Sequence, residues 1–408
     1  MDSIIKKARA LMEEEALGLG KICEENFYRV LNAFREEKVS AQHFRTTTGY
    51  GYNDMGRDKL EQVYARVFGA EAALLRQNIV SGSHAIFLAL AGNLLPGDQL
   101  LSLGLPYDTL QTVMGINHPT PGSLRESGVE CTIYDMDFAH PKLEEIKAQL
   151  TARTKIVALQ RSRGYSLRPS LSVKSIVEIC DAVKSVRPDV IFFVDNCYGE
   201  FVETKEPSMF SVDLMAGSLI KNPGAGIAPG GGYIVGRAEL VERAAVRLTV
   251  PGAGSELGPT LSDPRPYYQS LYLAPQIVLE ALLGAIFSAC VLEQLGFQVS
   301  PGSRESRADI IQTVKLSTPE RLIAFCQGIQ KYSPVDGFVS PLPWPMPGYD
   351  NDIIMASGSF VDGSSIELSA DAPLREPYVV FMQGGLNRWH TVYALENTLR
   401  DMQAQGLL

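Results

Sequence analysis

Six short apolar runs, LLSLG, ECTIYDM, KIVALQ, VIFFVD, LMAGSLI and GGYIVG, recur between residues 100 and 236, with helical segments such as SVKSIVEICDAVKSV among them. A strand that is apolar on both faces must be covered on both faces, and helices connecting successive strands supply that cover. The alternation therefore predicts an α/β fold built on a mostly parallel, buried sheet. Upstream, residues 3–38 read as one long helix rich in Glu, Lys, Leu and Ala, broken at FRTTTGYGYNDMGR by glycine and aromatic residues. Downstream, PYYQSLYLAPQIVLEALLGAIFSACVLEQLGF reads as a long helix closed by Gly296, and STPERLIAFCQGIQKYSP as a capped helix with Pro319 in its first turn. The length of 408 residues, 45% of them hydrophobic, allows two cores. The expected division is an N-terminal helical arm over 1–48, a large domain over 49–285 and a smaller α+β domain over 286–408. The proline-rich PLPWPMPGYD at 341–350 reads as a rigid surface turn, with a gating role over a site as the alternative.

A net charge of -9 and the absence of any Lys or Arg run longer than a pair argue against a nucleic-acid surface. Glu13, Glu14 and Glu15 stand where a signal peptide needs an apolar core, and no stretch approaches about 18 uncharged apolar residues. The expectation is a cytoplasmic protein without membrane or nucleic-acid partners. Six scattered cysteines without a C-x-x-C pair read as free thiols. His43, His84, His118, His140 and His390 have no ligand-like spacing, so no metal site is expected, and no G-x-S-x-G elbow is present. The run GAGIAP follows a lysine instead of opening a helix after a strand, which sets aside a dinucleotide fingerprint.

The chemistry concentrates in VIFFVDNCYGEF and DLMAGSLIKNPGAGIAPGGGYIVG, where Asp195 ends one buried strand and Lys221 follows another 26 residues later. Carboxyl ends of parallel strands face the ligand crevice of an open sheet. A lysine among small residues, kept from bulk water, has a lowered pKa suited to imine formation. A carboxylate at the end of VIFFV is expensive to bury unless it meets a cation, and a protonated pyridine nitrogen is such a cation. The pair points to pyridoxal 5'-phosphate (PLP). Ser81, Gly82 and Ser83 precede HAIFLALAG, so their N–H groups stand at a helix N-terminus that favours a phosphate. Ser218 offers a further hydroxyl, and Tyr107 in LPYDT can stack on a ring. Taken singly, an SGS is an ordinary cap and a Tyr after a strand an ordinary core residue; the order in which they occur is what gives them meaning.

Those motifs, together with GYGYNDMGRDKLE, QRSRGYSLRPSL, VDNCYGEFVE and SADAPLREPYVVFMQGGL, resemble the methionine gamma-lyase-like branch of the cystathionine and methionine metabolism enzymes, also called aluminium-resistance proteins. The resemblance runs from about Arg45 to the C-terminus. It implies a fold-type-I PLP enzyme of the aspartate-aminotransferase-like fold, with a seven-stranded sheet, assembled as a dimer or a dimer of dimers, that is, a homotetramer. It implies Lys221 as the Schiff-base lysine, Asp195 as the pyridinium partner, Tyr107 as the stacking ring, and Ser81, Gly82, Ser83 and Ser218 as phosphate ligands. Where relatives carry a Tyr-x-Arg that reaches the neighbouring subunit, this chain has Tyr50, Tyr52 and a displaced Arg57. Arg375 in APLREPY is the candidate for the substrate carboxylate, with Arg163 in QRSRGY as runner-up.

The implied activity is a PLP-dependent lyase acting on an amino acid with a heteroatom leaving group at Cγ, with Lys221 as base and Tyr107 or Tyr52 as acid. β-Elimination or γ-replacement by the same residues stays open, as does a catalytically silent PLP-binding or structural protein.

Overall fold

The computed structural model describes every residue except 117, 347, 348 and 350, so part of the proline-rich 341–350 loop, and with it the question of gating, lies outside the described residues. In the first 294 residues the order is α1 (Asp2–Glu36), α2 (Met55–Val67), β1 (Ala72–Arg76), α3 (Gly82–Gly92), β2 (Gln99–Leu103), α4 (Asp108–Met114), β3 (Glu130–Tyr134), α5 (Leu143–Ala148), β4 (Thr154–Gln160), α6 (Val173–Val186), β5 (Ile191–Asp195), β6 (Leu214–Ser218), β7 (Gly232–Gly236), α7 (Ala238–Leu248) and α8 (Arg265–Gln294). There follow β8 (Gln298–Ser300), β9 (Gln312–Lys315), α9 (Pro319–Lys331), β10 (Ile353–Ser357), β11 (Ser369–Pro373), β12 (Val379–Gln383) and α10 (Arg388–Ala404).

The six apolar runs are β2 to β7. With β1 they form a seven-stranded sheet in the order β1-β7-β6-β5-β4-β2-β3. The pairings β2–β3, β2–β4, β4–β5 and β5–β6 are parallel, while β7 runs antiparallel to both β1 and β6. The expected mostly parallel, buried sheet is present, with an apolar cluster on each face: Tyr64, Val157, Phe192 and Met215 on one side, Ile86, Ala158, Phe193 and Ile234 on the other. Strand alternation sends Phe192 and Phe193 to opposite faces. The second sheet is antiparallel, in the order β10-β11-β12-β9-β8, and packs on α9, α10 and the C-terminal half of α8.

Helix ends follow their local chemistry. Asp54, Ser81, Ser172, Thr318 and Asn387 are side-chain N-caps, each accepting a main-chain N–H of the following turn. The expected division at 285 falls inside α8, which runs on through it from the first core into the second. α1 does the same from the other direction. Its Ile5, Ala8, Leu11 and Met12 lie in the core of the smaller sheet, whereas Val30 and Ala33 lie in the core of the larger. α8, interrupted by Glu280, is long and apolar enough, by length and composition, to cross a membrane, and most of its apolar stretch is buried inside the protein.

Candidate active site

Parallel register brings the ends of adjacent strands to one edge of the sheet. Gln160, last in β4, stands opposite Asp195, last in β5, and Asp195 stands opposite Ala216 near the end of β6. Ser218 closes β6, and Lys221 lies three residues beyond it in the turn before β7. The N-terminus of α3 rests against this edge so closely that a Cβ on Gly82 would sit 2.7 Å from the Ser218 Cβ. Only glycine permits that approach. Ser81 caps the helix by accepting the His84 N–H at 3.1 Å, and the Ser83 Oγ lies 2.8 Å from the Tyr107 hydroxyl. Tyr107 is fixed in turn by its own N–H, which donates to Gln160 Oε1 at 3.1 Å.

The Asp195 carboxyl is buried; one oxygen accepts the Cys197 N–H at 3.1 Å. Burial pushes its pKa up, while Cys197 and the Lys221 ammonium pull it back. Lys221 Nζ lies 4.6 Å from the centre of the Tyr198 ring. The lowered lysine expected from its apolar setting is corrected: burial pulls the ammonium down, but Cys197, Tyr198, Asp195 and Tyr107 outweigh burial and raise it. Burial chiefly, then Asp195, raises the Tyr107 phenol, so it stays protonated at neutral pH and can donate.

The loop after β5 is tied down from below. Arg161, with no exposed surface, donates to Asn196 Oδ1 and Glu203 Oε1, each at 2.8 Å, and lies 3.6 Å from Glu206. The Asn196 N–H donates to the Ala216 carbonyl at 2.9 Å, which fixes Asp195 against β6. Beneath Gly217, Glu200 accepts the Tyr233 hydroxyl at 2.7 Å.

Arg163 and Arg375 both line a cavity of about 440 Å³ that opens beside Tyr107, along with Gln160, Tyr165 and Arg168. Arg375 is exposed and reaches the Tyr165 carbonyl at 3.5 Å. Arg163 is buried, donating through Nη1 to the Ser300 carbonyl and Oγ at 3.2 and 3.1 Å. Tyr52 and Arg57 do not join the group within one chain. Arg57 is buried and spends its donors on Asp58 and on the carbonyls of Gly51, Gly258 and Glu256, so it fastens the 51–58 segment to the 256–258 loop. Tyr52 is 57% exposed and stacks on Tyr50, with ring centres 5.7 Å apart.

Reasoning from sequence missed four residues here. Tyr198 follows Asp195 by three in VDNCY, takes a left-handed backbone (φ 70°) and lies under Lys221; the spacing was its only signal. Gln160 ends an apolar strand as Asp195 does. Arg168 stacks on Phe138, 3.7 Å from guanidinium carbon to ring centre, and donates to the Gln160 carbonyl at 2.9 Å. Asp371, buried on β11, had no sequence signal at all.

The model of the family described as methionine gamma-lyase matches residues 1–403. The uncharacterized protein YnbB of Bacillus subtilis is 45% identical over 412 residues, covering 99% of this chain and 98% of its own length. Among solved structures, a carbon-sulfur lyase involved in aluminum resistance from Clostridium novyi superposes with a TM-score of 0.94 at 47% identity, covering 98% of this chain and 95% of the other. A Listeria monocytogenes protein, provisionally described as a cystathionine beta-lyase involved in aluminum resistance, gives a TM-score of 0.95 at 44% identity, covering 98% and 99%. The pyridoxal-5'-phosphate-dependent protein YhfS of Escherichia coli, at 16% identity and a TM-score of 0.63, shares the fold alone.

Proposed function

Because this chain belongs to the methionine gamma-lyase family, a family of PLP-dependent lyases, we propose that it cleaves a carbon–heteroatom bond at Cγ of an amino acid, using Lys221 to carry the cofactor. One observation carries the reading: Lys221 and Asp195 lie at adjacent strand ends, the lysine over Tyr198 and the acid buried. The residues present fit the group. A carboxylate in this setting calls for a cation, and Lys221 or a pyridinium can supply it. The approach of Gly82 to Ser218, which a Cβ would block, brings the N-terminal N–H groups of α3 together with the hydroxyls of Ser81, Ser83 and Ser218, the donor set a phosphate uses.

When bound, PLP supplies an aldehyde that captures amines covalently and a cationic ring that accepts the electrons left when the α-proton departs. Asp195 would hold the proton on the ring nitrogen. Ser81, Gly82, Ser83 and Ser218 would hold the phosphate, with Tyr107 packed on the ring and positioned by Gln160 and Ser83. Lys221, once its Nζ is free and unprotonated, would remove the proton from Cα, pass it on, and then remove one from Cβ, the second loss being what lets the substituent at Cγ depart. Tyr107, held protonated, can hand its proton to the departing heteroatom. Arg375 would take the substrate carboxylate, with Arg163 as the second candidate; both line the cavity beside Tyr107. Tyr52 and Arg57 would act on a neighbouring subunit of a homo-oligomer. The β-lyase reading is kept as the second, because the Listeria relative carries that description.

The test is the absorbance spectrum of the purified protein, alone and with γ- or β-substituted amino acids, with keto-acid release followed in parallel. A band near the visible edge that is lost in Lys221→Ala, with keto acid from a γ-substituted substrate and at least about 10³-fold less in the variant, is the expected result. Keto acid from β-substituted substrates alone moves the assignment to the β-lyase; no band with PLP supplied removes it.

A further inference from the structure

The wall of the cleft contributed by the smaller sheet carries an acid that the scheme above does not use. Asp371 is 9% exposed, and its Oδ2 accepts the Tyr165 hydroxyl at 3.0 Å and the Gln383 amide at 2.5 Å. Its other oxygen has no hydrogen-bond partner among the described residues, and no described Lys, Arg or His lies within ion-pair distance. Tyr165, whose hydroxyl it accepts, lines the cavity beside Tyr107, which sets the acid against that cavity, and the Lys221 charge lowers its pKa. Burial pushes its pKa up to about 6.

Both donors that satisfy Asp371 are neutral, and both fall on one oxygen. A buried carboxylate in that condition lacks the charge partner that normally offsets desolvation. Around it stand aromatic rings: Tyr165, 6.0 Å from Tyr349, and Tyr198, over which Lys221 already places a cation. Ring faces attract cations as the carboxylate does. Arg375 meets Tyr165 at its carbonyl, while Asp371 meets it at its hydroxyl. The two charges are thus held a tyrosine's length apart. They suit a substrate that is negative at one end and positive at the other.

We propose that the open oxygen of Asp371, with the Tyr165 and Tyr198 rings, forms a subsite for a cationic side-chain end, so that the substrate's leaving group is a sulfonium or a substituted ammonium. This rests on the proposed lyase reading and narrows its substrate class. A neutral leaving group would leave the acid without a partner, and an anionic one would be repelled.

The holoenzyme is titrated with S-methylmethionine, which carries a fixed positive charge, and with methionine, its neutral counterpart. Affinity is read from the perturbed cofactor band and from the ligand-induced rise in unfolding temperature, in wild type, Asp371→Asn and Asp371→Glu. The expected result is at least about tenfold tighter binding of the sulfonium by wild type, a ratio that falls toward one in Asp371→Asn and is largely kept in Asp371→Glu. A wild-type ratio at or below one overturns the proposal whether or not the variants fold, as does a ratio that Asp371→Asn leaves unaltered. An intact cofactor band with keto acid released from a neutral substrate would then leave the lyase reading standing.

Discussion

At the scale of single residues, the tightest constraint in the site is the contact between Gly82 and Ser218. Gly82→Ala places a methyl 2.7 Å from the Ser218 Cβ, and neither the first turn of α3 nor the end of β6 can retreat without moving its strand or helix. Overpacking of this kind costs about 1–3 kcal/mol, so PLP affinity measured by equilibrium dialysis should fall about tenfold or more. Adding Ser218→Gly should restore part of the unfolding temperature lost by the apoprotein, where the Ser218 hydroxyl has no phosphate to hold; no recovery in the double variant would mean that the contact is not the cause. Residues such as Lys221, Asp195 and Ser81 were legible in the sequence because each sits where a strand or helix ends, and ends are marked by composition. Asp371 was not. Its meaning comes from Tyr165, 206 positions away in the chain, and from Gln383 on the adjoining strand. Arg57 was named from its motif, but its contacts with the distant Glu256 and Gly258 carbonyls could not be read from sequence.

Among the elements, α1 and α8 carry the most structural weight. Read along the chain, α1 looks like an arm and α8 like a bridge, and their periodicity was visible. Sequence did not show that each buries one half in each core, because periodicity reports a face and not what the face meets. Met12 has no exposed surface and belongs to the smaller sheet's core. Met12→Ala should cost about 2–5 kcal/mol. Because α1 and α8 serve both cores, calorimetry of the variant should still show one unfolding transition, at lower temperature. Two separated transitions would show that the cores are not coupled through these helices. The sheet order, by contrast, follows from features a sequence displays: apolar strands of five to seven residues, helices between them, and an antiparallel return at β7.

For the whole molecule, buried acids set how stability responds to pH. Burial raises the Glu200 pKa to about 8, despite the Tyr233 hydroxyl, and raises Asp371 to about 6. In the unfolded chain both ionise near their ordinary values of 4.5 and 3.8. Between those limits the folded protein holds protons that the unfolded chain has released, so stability falls as pH rises from about 4 to about 8 and levels off above that. Unfolding temperature measured across that range should slope downward, and Glu200→Gln should flatten the upper half of the slope; an unchanged slope would assign it to other groups.

The two helices shared between the cores bear on selectivity as well. Asp195 and Lys221 belong to one sheet and Asp371 to the other, and with α1 and α8 threading both, neither wall can swing without disturbing two cores at once. The gap between them then works as a fixed ruler. Candidate substrates would be sorted by reach, one methylene too few or too many leaving the far end adrift of its carboxylate, rather than gripped by a jaw that adjusts to whatever enters.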